Sequence, residues 1–308
     1  QTRVIDRFKT EQQETIVSSC NLLGLNRQVY YRALKTRMYK QEIAQKVIHL
    51  VQSKRSLMPK LGTRKLYYLL ANELRTLGVG RDKLFRILKV NHLLIKPKRS
   101  YHITTGSHHR FRKHKNIVST LDIARPEQVW VSDITYIGNR SNPSYLALIT
   151  DAYSKQIVGY NVSDSLSVSG SLKALEMALK NRTYKDKPLI HHSDRGLQYC
   201  SNEYQRLLDS SGIKASMTEK YDPYENAIAE RINGILKQEF DIDKYNVALS
   251  IKKKMVGKAI SIYNKLRPHW SNHMLTPEQM HKQCILKRKQ YLVICIVYIQ
   301  LVILRSLG

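Results

Sequence analysis

Apolar residues recur at helical spacing in the stretch YDPYENAIAERINGILKQEF, residues 221–240. Ile228, Ile232 and Ile235 are separated by four and then three positions, which places them on one face of an α-helix. The pattern predicts an amphipathic helix that begins near Glu225 and packs its isoleucine face against the rest of the protein.

The opposite face of this predicted helix carries polar side chains that could bind ligands. At about 100° per residue, Asn226, Glu230 and Lys237 project together away from the isoleucines. A carboxylate on a rigid helix, with a cation two turns further on, is an arrangement that could hold metal ions and a phosphate. Taken alone, the pattern also fits a solvated helix face with a charge pair seven positions apart. The residues upstream favour the first interpretation.

Two strand-like segments upstream each supply one aspartate. Gln128–Ile137 alternates and is rich in β-branched and aromatic residues, with Asp133 inside it. Pro188–Asp194 is an apolar run that ends in a turn. There are 60 residues between Asp133 and Asp194, and 35 between Asp194 and Glu230. Carboxylates from two strands and a helix can converge, and oxygen ligands of this kind suit Mg²⁺.

The other segments between residues 125 and 283 predict an α/β fold in which an antiparallel meander is followed by alternating helices and strands. Asn139–Asn142 predicts the first turn, and Asp151 is expected to act in a turn or cap rather than in the site. His192 is expected either to support Asp194 or to be a buried, hydrogen-bonded histidine. The further predicted strands are Tyr145–Thr150, Gln156–Val162, Pro188–His192 and Ile213–Met217. The predicted helices run from Ser165 or Ser167 to Lys180, from Ser201 to about Ser210, and from Val247 to Leu266.

The first 95 residues predict helices only. Gly24 and Gly78 are expected to end helices, and Asn26 and Thr63 are expected to cap them. The first pair of helices fits a DNA-binding helix-turn-helix and a plain helical hairpin about equally well. The predicted helices are Glu11–Leu22, Arg27–Arg32, Tyr39–Ser53, Thr63–Leu77 and Arg81–Leu88. The expected buried stripe of the fourth is Leu66, Leu69, Leu70 and Leu74.

The charge of the chain points to a polyanionic partner. Lys and Arg number 52 against 24 Asp and Glu, which gives a formal net charge of +28. The cations are spread along the chain rather than set on one amphipathic helix, so we expect nucleic acid and not a membrane surface. The 4 cysteines have no CxxC spacing, which indicates a reducing cytoplasm and argues against structural zinc.

The most basic stretch, Lys96–Lys115, is predicted to be a linker. It has seven Lys or Arg and four His among its residues. Tyr101 and Phe111 could stack on unpaired bases. The cations expected to contact DNA here are Lys96, Lys98, Arg99, Arg110, Arg112 and Lys113.

Five sequence motifs follow one another along the chain, and the first, third and fourth contain the three acids. The motifs are WVSDITYI, YLALITDAYSKQIVGY, HHSDRGLQY, YENAIAERINGILKQE and IYNKLRPHWSNHMLTPEQ. With the 35-residue gap and the lysine seven positions after Glu230, this set resembles the second-frame (orfB-type) transposases of bacterial insertion sequences, in the DDE transposase and retroviral integrase superfamily. The resemblance covers residues 10–283. Glu225 is a departure, since an aspartate is common there.

The resemblance implies a ribonuclease H-like core, with a mixed five-stranded sheet flanked by helices, preceded by an all-α helix-turn-helix DNA-binding region. It implies that Asp133, Asp194 and Glu230 hold two Mg²⁺ (or Mn²⁺) ions for strand cleavage at the element ends and for strand transfer. The implied partners are DNA (terminal inverted repeats and target DNA), further copies of the chain, and an upstream-frame helix-turn-helix protein. The implied DNA contacts are Lys237, Asn226, Arg195, Arg64, Lys65, Arg81, Lys83 and Arg86.

We expect five regions along the chain. They are an N-terminal helical region (1–56), a small helical DNA-binding module (57–95), a basic linker (96–123), the catalytic core with its C-terminal helix (124–283) and a hydrophobic tail of unknown role (284–308). The apolar run Tyr291–Leu304 is short and contains Gln300, which argues against a membrane span. We expect a cytoplasmic, nucleoid-associated protein, and the start at Gln1 is consistent with a piece of a longer product.

Two other functions stay open from the sequence. One is a metal-dependent nuclease of the same fold that hydrolyses DNA strands without joining them. The other is a non-catalytic DNA-binding remnant. The intact set of three acids argues against the remnant.

Overall fold

A mixed five-stranded sheet lies at the centre of the second half of the chain. The computed structural model describes residues 2–96, 114–138, 143–219 and 226–283. The strands are β1 (Val129–Ile137), β2 (Ser144–Asp151), β3 (Ile157–Ser163), β4 (Leu189–Ser193) and β5 (Ile213–Met217), in the order β3-β2-β1-β4-β5. The first three form an antiparallel meander, and β4 lies parallel to both β1 and β5. The predicted α/β fold, a mixed five-stranded sheet flanked by helices, is therefore confirmed.

Helices cover both faces of this sheet. They are α7 (Val168–Lys180), α8 (Leu197–Cys200), α9 (Asn202–Ser210), α10 (Ala227–Phe240) and α11 (Leu249–Leu266). In β1, Trp130 packs in one core cluster with Ala174 of α7, whereas its neighbour Val131 packs in another with Ala229 of α10. Because successive strand residues point to opposite faces, α7 and α10 lie on opposite sides of the sheet.

α11 lies on the same face as α10. A Cβ atom on Gly159 of β3 would lie 2.1 Å from the carbonyl oxygen of Ala174, so Gly159 faces α7. The next residue, Tyr160, places its hydroxyl 2.9 Å from where a Cβ of Gly257 in α11 would be. The alternation along β3 therefore assigns α11 to the face opposite α7.

The predicted elements of the sheet region agree with the structure to within two residues at each described boundary. β5 has the predicted bounds, and Ser201 caps α9 by accepting a hydrogen bond from the Tyr204 backbone N–H at 3.3 Å. Ser167, rather than Ser165, precedes α7. The short α8 was not predicted, because a four-residue helix is too brief to show a periodic pattern.

The described residues within Gln1–Ser56 and Gly62–Ile95 form a separate compact unit, and it is all-helical as predicted. Ile5, Cys20 and Tyr30 form one of its buried clusters. Leu66, Leu70, Leu74, Leu84 and Leu88 are also fully buried. Its helices are α1 (Thr2–Glu11), α2 (Ile16–Leu22), α3 (Arg27–Leu57), α4 (Thr63–Leu69), α5 (Ala71–Thr76) and α6 (Arg81–Val90). The second unit comprises Leu57–Leu61 and the described residues from Lys96 onward.

Two predicted helices of the first unit, Arg27–Arg32 and Tyr39–Ser53, are one continuous helix. α3 runs for 31 residues through both of them. The prediction was wrong because Ala33–Met38, the segment between them, contains neither Gly nor Pro and gives the helix no reason to stop.

Other helix boundaries in this unit also differ from the prediction. The predicted helix Glu11–Leu22 begins only at Ile16, as α2, and Glu11 is instead the last residue of α1, which was not predicted. The missed signal is Thr15, whose hydroxyl accepts a hydrogen bond from the Ser18 backbone N–H at 3.1 Å and caps α2. The predicted Thr63–Leu77 is interrupted at Leu70, and its cap residue is Gly62 rather than Thr63. Leu69 is only half-buried, so it lies off the buried stripe.

A buried charged cluster fixes the helical residues 277–283 to the sheet. Asp151 accepts hydrogen bonds from the backbone N–H groups of Glu127 at 2.6 Å and Ser154 at 2.7 Å, which agrees with its expected turn role. His281 reaches both carboxylates, with Nε2 3.4 Å from Glu127 and Nδ1 3.7 Å from Asp151. Burial would lower the pKa of His281, but its interactions with Asp151 and Glu127 raise it to about 9.

Several predicted segments lie outside the described residues. They are the turn Asn139–Asn142, most of the linker (residues 97–113), Glu225, and the tail from 284, including Tyr291–Leu304. Within the ranges that the structure describes, no helix combines the length and the apolar composition needed to cross a bilayer.

Candidate active site

Asp133 lies within the central strand, at the point where the parallel strand β4 ends. β1 and β4 pair in parallel with Trp130 opposite His191 and Ser132 opposite Ser193. The next residues along the two chains are Asp133 and Asp194. The register therefore carries both aspartates to the same end of the parallel pair, as the sequence predicted from two separate strand patterns.

α10 crosses this end of the sheet and makes two side-chain contacts with it. Asn226, at the helix N-terminus, donates from Nδ2 to the carbonyl oxygen of Ser132 at 3.0 Å. Asn233 donates from Nδ2 to Oδ2 of Asp133 at 2.7 Å. Glu230 lies between these two asparagines in sequence and is solvent-exposed. The helix is therefore tied to β1 on both sides of the glutamate.

The three carboxylates share one electrostatic environment. Burial, reinforced by the negative charge of Asp194 and more weakly by that of Glu230, raises the pKa of Asp133 to about 7. The hydrogen bonds from Asn233 and from the Ile134 backbone oppose this shift. Glu230 is exposed but partly shielded from solvent, and this shielding raises its pKa as well. Asp194 and Glu230 are thus close enough to Asp133 to oppose its ionisation.

This set of side chains fits a divalent cation by its charge and donor chemistry. Carboxylate oxygens are hard ligands of the kind that Mg²⁺ prefers, and a cation would relieve the repulsion that raises the pKa of Asp133. Among the residues that the structure describes, no three side chains of the metal-binding types are grouped closely enough to form a complete metal site. The fit therefore rests on charge and ligand type, and the metal-binding roles of the three acids stay a prediction.

The turn after β4 sets the direction of Asp194. Its Oδ1 accepts a hydrogen bond from the Gly196 backbone N–H at 3.0 Å. A Cβ on Gly196 would lie 3.0 Å from that oxygen, so a larger residue here would press on the carboxylate of Asp194. Arg195, between them, is half-buried.

A layer of buried polar side chains supports the strands beneath the aspartates. His191 Nε2 lies 2.6 Å from Ser132 Oγ and 2.9 Å from the Tyr204 hydroxyl, and burial lowers the pKa of this histidine to about 3, which keeps it neutral. His192 is buried as well, with Nδ1 2.9 Å from Ser216 Oγ. His192 is therefore a buried, hydrogen-bonded histidine, one of the two roles left open for it.

Two of the predicted DNA contacts on α10 have different surroundings from those expected. The expectation that Asn226 lies on the outer face of the helix is wrong: it is 8% exposed, because its amide is turned inward to β1. Lys237 is half-buried, and burial lowers its pKa while Asp243 and Asp133 oppose that shift. Their roles toward DNA, like that of Arg195, stay predictions.

The cations predicted to contact DNA in the helical unit are mostly accessible. Lys83 is half-buried and donates to the Gly78 carbonyl oxygen at 3.2 Å, and Arg81 pairs with Asp82 at 3.0 Å. Arg64, Arg81, Arg86 and the linker residue Lys96 are exposed, and Lys65 is half-buried. The remaining linker cations, Lys98, Arg99, Arg110, Arg112 and Lys113, lie outside the described residues.

Asn233 is the site residue that the sequence interpretation missed. It stands three positions after Glu230, which places it about 60° from that glutamate around the helix. That spacing was the available signal, and the isoleucine pattern on either side concealed it.

Comparisons with known proteins agree with this arrangement. Two models described as Integrase core domain match residues 123–223 and 211–277. The insertion element IS600 uncharacterized 31 kDa protein of Shigella sonnei is 34% identical over 264 residues, which span 81% of this chain and 92% of that protein. The transposase InsF for insertion sequence IS3A of Escherichia coli K12 is 33% identical, over 51% of this chain and 55% of that protein.

Among solved structures, the HTLV-2 integrase catalytic core domain in complex with magnesium matches 51% of this chain and 97% of its own, at 23% identity and a TM-score of 0.41. The relationship to the IS600 protein extends over four fifths of the chain. The chain therefore belongs to the bacterial insertion-sequence transposases of the DDE transposase and retroviral integrase superfamily, a family of enzymes that act on DNA.

Proposed function

We propose that this enzyme cleaves DNA strands at the ends of an insertion sequence and joins the freed 3′ ends to target DNA, with Asp133, Asp194 and Glu230 as its catalytic carboxylates. The observation that carries the proposal is the register of β1 and β4, which brings Asp133 and Asp194 to one end of the parallel pair, where Asn226 and Asn233 tie the helix of Glu230 to β1. Burial and the charges of Asp194 and Glu230 oppose the ionisation of Asp133 there. A site with this much crowded negative charge is suited to neutralisation by cations before it can accept a phosphodiester.

The three carboxylates would hold divalent ions, Mg²⁺ or Mn²⁺, and two ions is the number that the family resemblance implies. When bound, such ions supply Lewis-acid activation of the attacking hydroxyl and neutralise charge on the leaving oxygen. In cleavage the attacking group is water, and in joining it is a DNA 3′-hydroxyl. In both reactions one phosphorus–oxygen bond forms as the bond to the leaving 3′-oxygen breaks.

The protein's own contribution is positional. Asn233 holds Oδ2 of Asp133 in one direction, and the Gly196 N–H does the same for Oδ1 of Asp194. Asn226 ties the beginning of α10 to β1, so that Glu230 is carried by a helix fixed to the strand of Asp133. Fixed ligands of this kind need no reorganisation when substrate binds.

Lys237 and Arg195 would position the DNA. Lys237 lies seven residues after Glu230, about 10 Å along the helix axis at 1.5 Å per residue. It would meet a phosphate next to the reacting one. We further propose that the enzyme works as an oligomer on paired DNA ends, and that the helical unit with its exposed Arg64, Arg81 and Arg86 recognises the terminal repeat.

The decisive experiment replaces each acid by its amide, as Asp133→Asn, Asp194→Asn and Glu230→Gln. Each variant should lose cleavage and joining in Mg²⁺ while DNA binding stays equal or strengthens, because one negative charge near the phosphates is gone. Calorimetric titration with Mg²⁺, without DNA, should show weaker binding in each variant. Asp209→Asn is the matched control, since Asp209 is an exposed acid on α9, on the other face of the sheet.

The outcome separates the three functions that the sequence left open. Cleavage without joining by the wild-type protein would indicate a nuclease. DNA binding with neither reaction would indicate a non-catalytic remnant. Substantial cleavage by any one of the three variants would remove that residue from the catalytic set.

A further inference from the structure

The cations of α11 fall into two structurally different sets. Lys252 is 3% exposed and donates to Ser144 Oγ at 3.0 Å, and Arg267, just past the helix, is 1% exposed and pairs with Glu239 at 2.8 Å. These two hold the helix to the core. Lys253, Lys254, Lys258 and Lys265 are solvent-exposed instead.

Three of the four exposed lysines, Lys254, Lys258 and Lys265, line up along one side of the helix. They stand at positions i, i+4 and i+11, which places them within about 40° of one another around the helix axis. Ser261 lies on the same line and is exposed. The buried Tyr263 lies on the opposite side. The row, here called the lysine stripe, extends about 16 Å at 1.5 Å per residue.

The sequence around the lysine stripe contains no acidic residue that could balance its charge. From Lys244 to Pro277, a stretch of 34 residues, the sequence contains no Asp or Glu. None of the salt bridges among the described residues involves a lysine of the stripe. A solvated surface usually mixes charges of both signs, so a one-sided row of this length indicates a polyanionic partner.

The lysine stripe lies on the same side of the sheet as the candidate active site. α11 is fixed to the edge strand β3, where Asn264 pairs with both the N–H and the carbonyl of Ile157 at 3.0 and 2.9 Å. Strand β3 is two strands from β1, about 10 Å sideways at 4.8 Å per strand. A DNA duplex with one phosphate at Asp133 that extended toward β3 would reach α11 within about 34 Å, one turn of the double helix.

We propose that the lysine stripe of α11 binds the phosphate backbone of DNA beside the active site, in addition to the contacts of the N-terminal unit and linker. The stripe spans about five phosphates of one strand at 3.4 Å per nucleotide. Lysine is suited to this because it acts as a point charge and reads no bases, so the contact is independent of sequence. The inference rests on the proposed function only for its claim that DNA occupies the acidic site.

A second copy of the chain is the competing occupant, because exposed Ile251, Leu266 and Trp270 flank the stripe. A two-fold interface on this surface would bring the same patch of both copies together. Two identical lysine stripes would then repel each other across the contact. The charge pattern therefore favours DNA.

The test compares two triple variants of the full chain with the same loss of charge. Lys254→Gln/Lys258→Gln/Lys265→Gln removes the stripe. Lys173→Gln/Lys180→Gln/Lys185→Gln removes three exposed lysines on or next to α7, on the other face of the sheet. Binding is measured by fluorescence anisotropy from 50 to 300 mM salt, with an element-end duplex and a random duplex of equal length.

The stripe variant should bind about tenfold or more weakly at 150 mM salt, and the slope of log K against log salt should fall by up to about 2.7, at 0.9 per lost contact. The control should change affinity less than threefold. An equal loss on both duplexes means general backbone binding. A loss on element-end DNA alone identifies the transposon end as the bound DNA. A loss confined to the capture of target during joining identifies the target.

Three results would overturn the proposal: binding and joining like the wild type, a loss no greater than that of the control, or a changed oligomeric state with unchanged DNA binding. The same binding series on Asp133→Asn keeps the proposed function separate. If the wild type neither cleaves nor joins but the stripe variant still loses DNA affinity, the proposed catalysis fails and the lysine stripe stands.

Discussion

Replacing Asn233 by alanine tests the link between α10 and the first aspartate. Asn233 is 5% exposed, and its amide donates to Asp133 Oδ2 at 2.7 Å. A hydrogen bond to a charged acceptor contributes about 1.5–3 kcal/mol. This bond also lowers the pKa of Asp133, against burial and the charge of Asp194. Asn233→Ala should therefore raise that pKa above about 7 and leave the carboxyl both less ionised and less well aligned.

The variant should need a higher Mg²⁺ concentration and a higher pH than the wild type to reach the same cleavage rate. Residues that orient a metal ligand typically affect metal affinity by about 10–100-fold, so the Mg²⁺ concentration for half-maximal cleavage should rise by at least about tenfold. The acidic limb of the pH–rate profile should move to higher pH, because Asp133 must be ionised to bind a cation. High Mg²⁺ should restore part of the rate, since the three acids are still present.

Cleavage of an element-end duplex, measured against Mg²⁺ at several pH values and corrected for the folded fraction, gives both quantities. Gln238→Ala is the control, because Gln238 is exposed on the same helix. If Asn233→Ala had the Mg²⁺ requirement and pH profile of the control, Asn233 would not be positioning the carboxylate. A loss explained entirely by reduced melting temperature would give it a purely structural role.

Lys237→Ala should change unfolding free energy by only about 0.5–1 kcal/mol but reduce strand joining about tenfold, and Lys237→Arg should restore part of it; a large stability loss with normal activity per folded molecule would contradict this. Neutralising several cations between Lys96 and Lys115 in the full chain should weaken binding to every duplex and lower the salt slope by about 0.9 per lost contact, and an unchanged slope would exclude a linker contact. His281→Gln should lower the unfolding free energy by about 3 kcal/mol near pH 6. The pKa of His281 rises from 6.5 in the unfolded chain to about 9 in the folded protein, so protonation stabilises the fold fully at pH values below 6.5. That stability is lost as pH rises through 9, so denaturant unfolding near pH 10 should show a much smaller difference, and equal losses at both pH values would refute the charged state of His281.

The strands and the acids could be predicted because their signals are local. Each of the strands that delivers an aspartate is a short run of alternating or apolar residues bounded by turns, which needs no knowledge of its neighbours. The face of α10 formed by Ile232 and Ile235 is likewise fixed by spacing, and both residues are buried. The gaps between Asp133, Asp194 and Glu230 then supplied the family resemblance.

The helix ends of the first unit were less predictable. Between Arg32 and Tyr39 the sequence contains neither Gly nor Pro, and the helix continues through this segment, from the buried Tyr30 to the buried Ile43. At Leu70 the opposite happens, and the helix is interrupted inside a leucine-rich run. Propensity is a weak guide where tertiary contacts determine the ends.

Only the tertiary structure decided what the polar side chains do. Asn233 and Asp133 are 100 positions apart, and Asn226 and Ser132 are 94 apart. Lys252 and Lys254 stand two positions apart in one basic run, yet one is buried against Ser144 and the other faces solvent. A hydrophobic period reports which side of a helix is apolar, but a polar residue at the edge of that side is turned inward only if a distant strand offers it a partner. That partner is fixed when the sheet and helices pack together, because burying an unpaired polar group costs more than burying a paired one.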